Sequence, residues 1–243
     1  MIWPALRRSG SDFWDEILLL MIFNIVWVLG TIPGLYFILR GVLEGMLNMM
    51  ETQVPGTVSL VSVVVGIIAF LPWPFVTFGL FAVAYDIGQG KGIKFRDFFS
   101  GAARLWKQAY IWAGINLGLM FVAGVNIVFY NNFGTQWATM ALVVVLGLTM
   151  FWGVLQLFAL AIYPRLEEPS FKLVTRNATI LFGRYPLVGL LLAAIVVLIA
   201  IVSFFAQLLV LLGTFSMIAI ITNRMVEAMI KKALPPEETK SDE

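Results

Sequence analysis

The sequence contains no cysteine and no histidine, and only 12% of its 243 residues are charged. Without cysteine there is no disulfide framework, thiol nucleophile, thiolate metal site or iron–sulfur cluster. Without histidine the commonest general base and the commonest transition-metal ligand are missing too. No catalytic, cofactor-binding or metal-binding set is expected, and no nucleic-acid partner. Soluble domains carry about 25% charged residues, so there is too little charge here to cover a soluble core. Hydrophobic residues make up 60% of the chain, with a mean hydropathy of +0.93. Lipid as the outer solvent removes the need for a charged surface, which points to an all-α integral membrane protein. A cleaved signal peptide is not expected. The first apolar run, behind Arg7 and Arg8, is as long as a span, and more spans follow.

The stretches that lack charge define the spans. They are Ile17–Leu39, Thr52–Tyr85, Gln108–Pro164 and Tyr185–Asn223, of 23, 34, 57 and 39 residues. A helix needs about 20 residues to cross the hydrocarbon core. The third stretch is divided by the polar turn Asn131-Asn132-Phe133-Gly134-Thr135-Gln136. The fourth reads as a hairpin turning near Phe205–Gln207. Six spans result, near Ile17–Leu39, Val58–Ala84, Ala109–Tyr130, Trp137–Tyr163, Pro186–Phe205 and Leu208–Met229. With both termini in the cytoplasm, 15 of the 16 basic residues fall inside and only Arg40 outside. That asymmetry is what the positive-inside rule asks for. Residues 1–234 read as one polytopic membrane domain of the plasma membrane, and 235–243 as a short disordered tail.

Two cytoplasmic segments share a design. Lys94–Gln108 reads KFRDFFSGAARLWKQ and Ser170–Arg184 reads SFKLVTRNATILFGR. In the first, Phe95, Phe98, Phe99, Ala102, Leu105 and Trp106 share a helical face, with Arg96, Asp97, Arg104 and Lys107 largely elsewhere. In the second, Phe171, Val174, Ala178, Leu181 and Phe182 form the apolar face, with Lys172 and Arg176 off it. Both read as amphipathic elbow helices in the inner interface, with basic residues toward anionic headgroups. At an offset of 76 residues Phe95 meets Phe171 and Trp106 meets Phe182, and GLFAVAY (Gly79–Tyr85) resembles QLFALAI (Gln156–Ile162) at an offset of 77. Two readings stand: a parallel internal repeat, or convergence of two elbows under the same interfacial constraint.

No charge lies at the middle of any expected span, which argues against a proton pump or an ordinary proton-coupled antiporter. The second span carries Pro72-Trp73-Pro74, where a kink or break is expected. Such breaks mark binding sites in some transporters, although an ordinary proline kink is the commoner reading. The intramembrane amides are Asn24, Asn116, Asn126, Gln156 and Gln207; they read as interhelical hydrogen-bonding groups or, less often, as the lining of a polar cavity. Gly30-xxx-Gly34, Gly41-xxx-Gly45 and Gly114-xxx-Gly118 permit close helix contact. Gly88-Gln-Gly-Lys91-Gly92 lacks the phosphate-loop pattern and reads as a flexible turn. Arg40 and Glu44 stand four apart on the outside and can pair.

The segment Gly90–Asn116, GKGIKFRDFFSGAARLWKQAYIWAGIN, resembles the YesL-like family of bacterial membrane proteins. Phe95, Arg96, Asp97, Phe98, Phe99, Lys107 and Gln108 carry the likeness. NIVWVLGTIPG (Asn24–Gly34) and FVTFGLFAVAY (Phe75–Tyr85) resemble its N-terminal pieces, although about 40 residues separate them here where the family has them nearly contiguous. The resemblance implies a membrane protein that accompanies carbohydrate uptake systems of the ABC type and brings no catalytic residues with it. The first expectation is therefore a non-enzymatic accessory or scaffold protein that contacts other membrane subunits through its elbows. The alternative is a facilitator of a small neutral or polar solute. An intramembrane enzyme is disfavoured by the missing histidine and cysteine. A polar cavity beside Pro72–Pro74 would favour the facilitator, and a filled core the scaffold.

Overall fold

The computed structural model describes residues 2–52 and 60–233. The tail at 235–243 lies outside the described residues, as do Val58 and Ser59 at the start of the second expected span. Among the described residues there are helices and turns and no strand. The order is α1 (Ile2–Asp15), α2 (Ile17–Thr52), α3 (Leu60–Phe70), α4 (Pro72–Gly88), α5 (Phe95–Arg104), α6 (Trp106–Asn131), α7 (Gln136–Ile162), a 3-10 turn (Tyr163–Arg165), α8 (Phe171–Arg184), α9 (Pro186–Phe205), α10 (Gln207–Leu212) and α11 (Thr214–Ala233).

Among the described residues five helical segments are long and apolar enough to cross a membrane: Ile17–Gly45, Val61–Gly88, Trp106–Asn131, Gln136–Arg165 and Pro186–Phe205. This is the architecture of a multi-pass membrane protein. The sixth expected span, Leu208–Met229, is not among them, because Gly213 divides it into α10 and α11. The physical reason lies in its surroundings. α11 packs on α1, α2, α4, α7, α9 and α10, and Ala219, Ile220, Ile221, Thr222, Asn223, Met225, Val226 and Met229 are all buried. A helix solvated by protein needs less apolar side chain than one solvated by lipid, so α11 can carry Asn223, Arg224 and Glu227.

The first span extends further than its charge-free stretch. α2 continues through Pro33 and past Arg40 to Thr52, and Arg40 Nε donates to Glu44 at 2.7 Å on its exposed surface. Its C-terminal half crosses α3 at glycines. A Cβ on Gly34 would stand 2.5 Å from the Phe70 backbone nitrogen, and one on Gly66 2.7 Å from the Ile38 backbone nitrogen. Gly30 and Gly41 likewise face Val76 and Val63. Gly114 and Gly118 have nothing within 4 Å of the position a Cβ would take, so that pair makes no close contact here.

Neither composition nor charge announces α1, which lies along α11. Its buried residues are Ala5 and Ser9, four apart, with Phe13 half-buried one turn on. Asp12 accepts from Arg224 Nε at 2.6 Å and from Nη2 at 2.9 Å; Arg224 Nη1 also donates to the Gly88 carbonyl at 2.9 Å and to Glu227 at 3.0 Å. The bidentate geometry makes this a stronger tie than a surface ion pair. It joins α1, α4 and α11.

The corner from α9 to α11 is held by Asn24. Its side-chain nitrogen donates to the carbonyls of Val210 at 2.6 Å and Leu211 at 2.8 Å. Its side-chain oxygen accepts from the backbone nitrogens of Phe215 at 2.9 Å and Ser216 at 3.3 Å. One amide thus supplies the last carbonyls of α10 and the first N–H groups of α11, which the break at Gly213 leaves without intrahelical partners. Ser216 Oγ donates to the Leu20 carbonyl at 2.8 Å, and Ser203 and Thr214 hydroxyls bond at 2.7 Å across the corner. Asn24 is fully buried, so these groups have no water to fall back on. Asn24→Leu strips partners from four backbone groups and is expected to lower the unfolding free energy by about 2–4 kcal/mol. Steric-trap or denaturant unfolding in detergent checks this; a loss below about 0.5 kcal/mol would show that the corner does not depend on the amide.

Candidate functional site

The region beside Pro72-Trp73-Pro74 is where a polar cavity would matter most. The helix is interrupted at Leu71, between the end of α3 and the start of α4, with Pro72 as the first residue of the new helix. Pro74 is buried and Pro72 exposed. Leu71 N–H donates to the Ile68 carbonyl at 3.2 Å, a tightened turn, and the Leu71 carbonyl accepts from the Tyr110 hydroxyl of α6 at 3.1 Å. A neighbouring helix therefore supplies a partner at the break, as lipid cannot.

Aromatic rings fill this region. Trp73 stacks on Phe70 with ring centroids 4.9 Å apart and lies 5.3 Å from Trp112, which meets Phe78 edge-on at 5.7 Å. Each of three indole N–H groups finds a side-chain acceptor. Trp27 Nε1 donates to Thr77 Oγ1 at 2.9 Å, and the Thr77 hydroxyl passes the chain on to the Trp73 carbonyl at 2.7 Å. Trp112 Nε1 donates to Gln156 Oε1 at 2.8 Å, and Trp152 Nε1 to Asn116 Oδ1 at 2.9 Å. Asn116 Nδ2 closes the network onto the Trp112 carbonyl at 2.8 Å and Gln156 Oε1 at 3.2 Å. The buried amides Asn116 and Gln156 thus join α6 to α7. The Trp112 N–H requires an acceptor, which fixes the Gln156 amide with its oxygen inward. Gln156 Nε2 is then left buried without a partner. Asn126 bonds only within its own helix, to the Val122 carbonyl. Gln207 is exposed at the start of α10.

The elbows divide their aromatic residues between two destinations. In the first elbow, Phe98 and Ala102 of α5 and Leu105 just after it are buried, and Phe98 stacks on Phe23 of α2 at 4.9 Å. Gly79 and Gly101 allow this approach; a Cβ on Gly101 would meet the Ala82 Cβ at 2.6 Å. Phe95, Phe99 and Trp106 stay outside, at 50%, 38% and 51% exposure. Asp97 accepts from the Lys94 backbone N–H at 2.7 Å and so caps the start of α5. Arg96 and Lys107 are exposed, with Lys107 over the Trp106 ring at 5.7 Å. In α8, Val174, Ala178 and Leu181 are buried. Phe182 is half-buried against Phe151 at 5.1 Å and Phe158 at 6.3 Å, and Phe171 stands 6.5 Å from Trp152. Lys172 and Arg176 are exposed. The innermost residues of the two elbows, Phe98, Ala102 and Leu105 against Val174, Ala178 and Leu181, stand at one common offset.

Known proteins add nothing to this picture. No family model matches the chain, and no curated protein or solved structure matches it significantly. Among the described residues no group of three or more carboxylates could hold a metal ion.

Two arrangements escape sequence reading: the Asn24 bridge and the Asp12–Arg224–Glu227 network. Both join residues about 200 positions apart, and no local spacing signals them. The Trp112–Gln156 bond carries its own test. Trp112→Phe leaves Gln156 Oε1 short of a donor and is expected to cost about 1–2 kcal/mol. Adding Gln156→Leu removes the stranded acceptor, so the double variant should lose clearly less than the sum of the singles in detergent unfolding. Strict additivity would show that the pair is not coupled.

Proposed function

We propose that this chain is a non-enzymatic accessory protein of a bacterial plasma membrane, scaffolding other membrane subunits through the exposed face of its first elbow. The observation that carries the reading is the division of the first elbow's aromatics. Phe98 is spent on internal packing, whereas Phe95, Phe99 and Trp106 stay exposed beside the cations Arg96 and Lys107, with Phe95 and Phe99 edge-on to each other at 5.3 Å. Exposed aromatics flanked by positive charge suit contact with another membrane protein at headgroup level. The aromatic filling beside Pro72–Pro74 supports the same reading over a facilitator, which needs a polar path. The likeness of Gly90–Asn116 to the YesL-like family names the proposed class of partner, an uptake system of the ABC type.

In this reading both termini face the cytoplasm, with α9 entering the membrane and α11 bringing the chain back. Both elbows lie at the inner interface, and the matching buried positions of α5 and α8 support a parallel duplication. The corner between α9 and α11 packs beside Leu20 and Asn24. Asn24 stands seven residues beyond the start of α2, roughly 10 Å along the helix at 1.5 Å per residue. In this reading the corner lies within the membrane, beside the early turns of α2.

A photo-crosslinking amino acid at position 95, 99 or 106 tests the scaffold reading in the native membrane, with position 129 on the far part of α6 as control. The expected result is one defined adduct with a membrane subunit from the elbow positions and none from the control. Lone monomers from all three, together with solute flux in proteoliposomes above empty vesicles, would replace the scaffold with the facilitator.

A further inference from the structure

Arg165 ends the fourth membrane-length segment. Its side chain is half-buried and turned inward. Nε donates to the Ala161 carbonyl at 3.0 Å, and Nη2 donates to the Asn223 carbonyl at 3.0 Å and side-chain oxygen at 3.3 Å. The guanidinium lies over the Tyr85 ring at 4.9 Å. All of these partners are neutral. No carboxylate lies within 4 Å of Arg165 among the described residues, in contrast to Arg224.

The nearby acids are already taken. Both oxygens of Asp12 accept from Arg224. The two oxygens of Glu227 accept from Arg224 at 3.0 Å and Lys231 at 2.6 Å. Glu167 and Glu168 follow in the chain and are exposed, without an ion pair among the described residues. Arg165 therefore stays charged in a partly desolvated place, with Glu227 acting on it only from beyond ion-pair distance and Nη1 making no hydrogen bond among the described residues. A charge of this kind calls for a counter-ion.

A cavity of about 240 Å³ opens beside it, between the end of α7, α8 and α11. Its walls come from Ile162, Ile180, Leu181 and Ile230, and its polar contributions from Arg165 and Asn177. No hydrogen bond of the Asn177 side chain is found among the described residues. Two sets of unused donors, one cationic and one amide, thus border a single apolar cavity with an open rim at Ile180, which is 56% exposed. Planar guanidinium donors with an adjacent amide suit the oxygens of a phosphate group, and the apolar walls suit the carbons attached to it.

We propose that this cavity is a binding site for the phosphate group of an anionic amphiphile, with Arg165 and Asn177 as its donors and Ile162, Ile180, Leu181 and Ile230 around the adjoining carbons. The site is separate from the exposed face of α5, so it stands or falls independently of the scaffold reading.

The test is thermal unfolding of the full-length protein in neutral detergent, with phosphatidylglycerol, phosphatidylcholine or inorganic phosphate added separately. Phosphatidylglycerol is expected to raise Tm by about 5 °C or more near saturation, and phosphatidylcholine by much less. Arg165→Gln should abolish the difference. Asn177→Leu, which leaves the internal bonds of Arg165 in place, should reduce it at least by half. Should Arg165→Gln fail to fold, Asn177→Leu decides alone. A shift from inorganic phosphate equal to that from phosphatidylglycerol, lost in the variants, supports the phosphate donors and identifies the free anion as the source. No selective shift, or one that survives both substitutions, overturns the proposal.

Discussion

The hydrogen bonds of Asn24 are the constraint on which the arrangement of the last three helices rests. A helix broken in an apolar environment exposes carbonyls on one side of the break and N–H groups on the other, and lipid can satisfy neither. An asparagine amide carries donors and an acceptor within one rigid plane. Placed at the break it answers both needs at once, and because it belongs to α2 it also fixes where the corner sits. Ser203, Thr214 and Ser216 add shorter ties around it. Once the corner is fixed, α11 is committed to the centre of the molecule, where Arg224 can gather Asp12, the Gly88 carbonyl and Glu227.

This placement divides the molecule into two regimes. Around α4 and α11 the helices are solvated by one another. There the packing uses glycines, stacked phenylalanines and indole–amide bonds. Farther along α6 and α7, away from the elbows, the side chains face outward: Phe121, Val125, Val128, Val143, Leu148 and Met150 are all exposed. The amphipathic elbows lie at the boundary. Each gives three residues to the interior and keeps aromatic or basic residues outside, which is how a short helix can both brace a span and offer a surface to something else.

Much of this was legible in the sequence. The α6–α7 hairpin follows from the polar turn at 131–136, and the start of α9 from the basic stretch before Pro186. Both elbows follow from helical spacing of phenylalanine. What could not be read has a common physical cause. Among its described residues α1 buries Ala5 and Ser9 and half-buries Leu6 and Phe13, so it lacks the long apolar run by which the spans are recognised. The split at Gly213 is stabilised by an amide nearly 190 positions away. The amides Asn116 and Gln156 stand out as polar residues in apolar runs, but that they bond to indoles rather than line a cavity depends on helix packing. Composition reports the solvent a segment meets, whereas polar pairing between spans is a property of the assembled fold.

The absence of cysteine makes the depth of the α9–α11 corner directly measurable, because a single introduced thiol is the only one in the chain. Gln207→Cys, Asn132→Cys and Lys240→Cys would each be treated with a membrane-impermeant maleimide in intact cells and again after opening the cells. The account predicts that position 132 is labelled from outside, position 240 only once the cytoplasmic face is reached, and position 207 from neither side until the protein is denatured. Labelling of position 207 from outside in intact cells would contradict it, because the corner would then lie at the outer surface and not within the membrane beside Asn24.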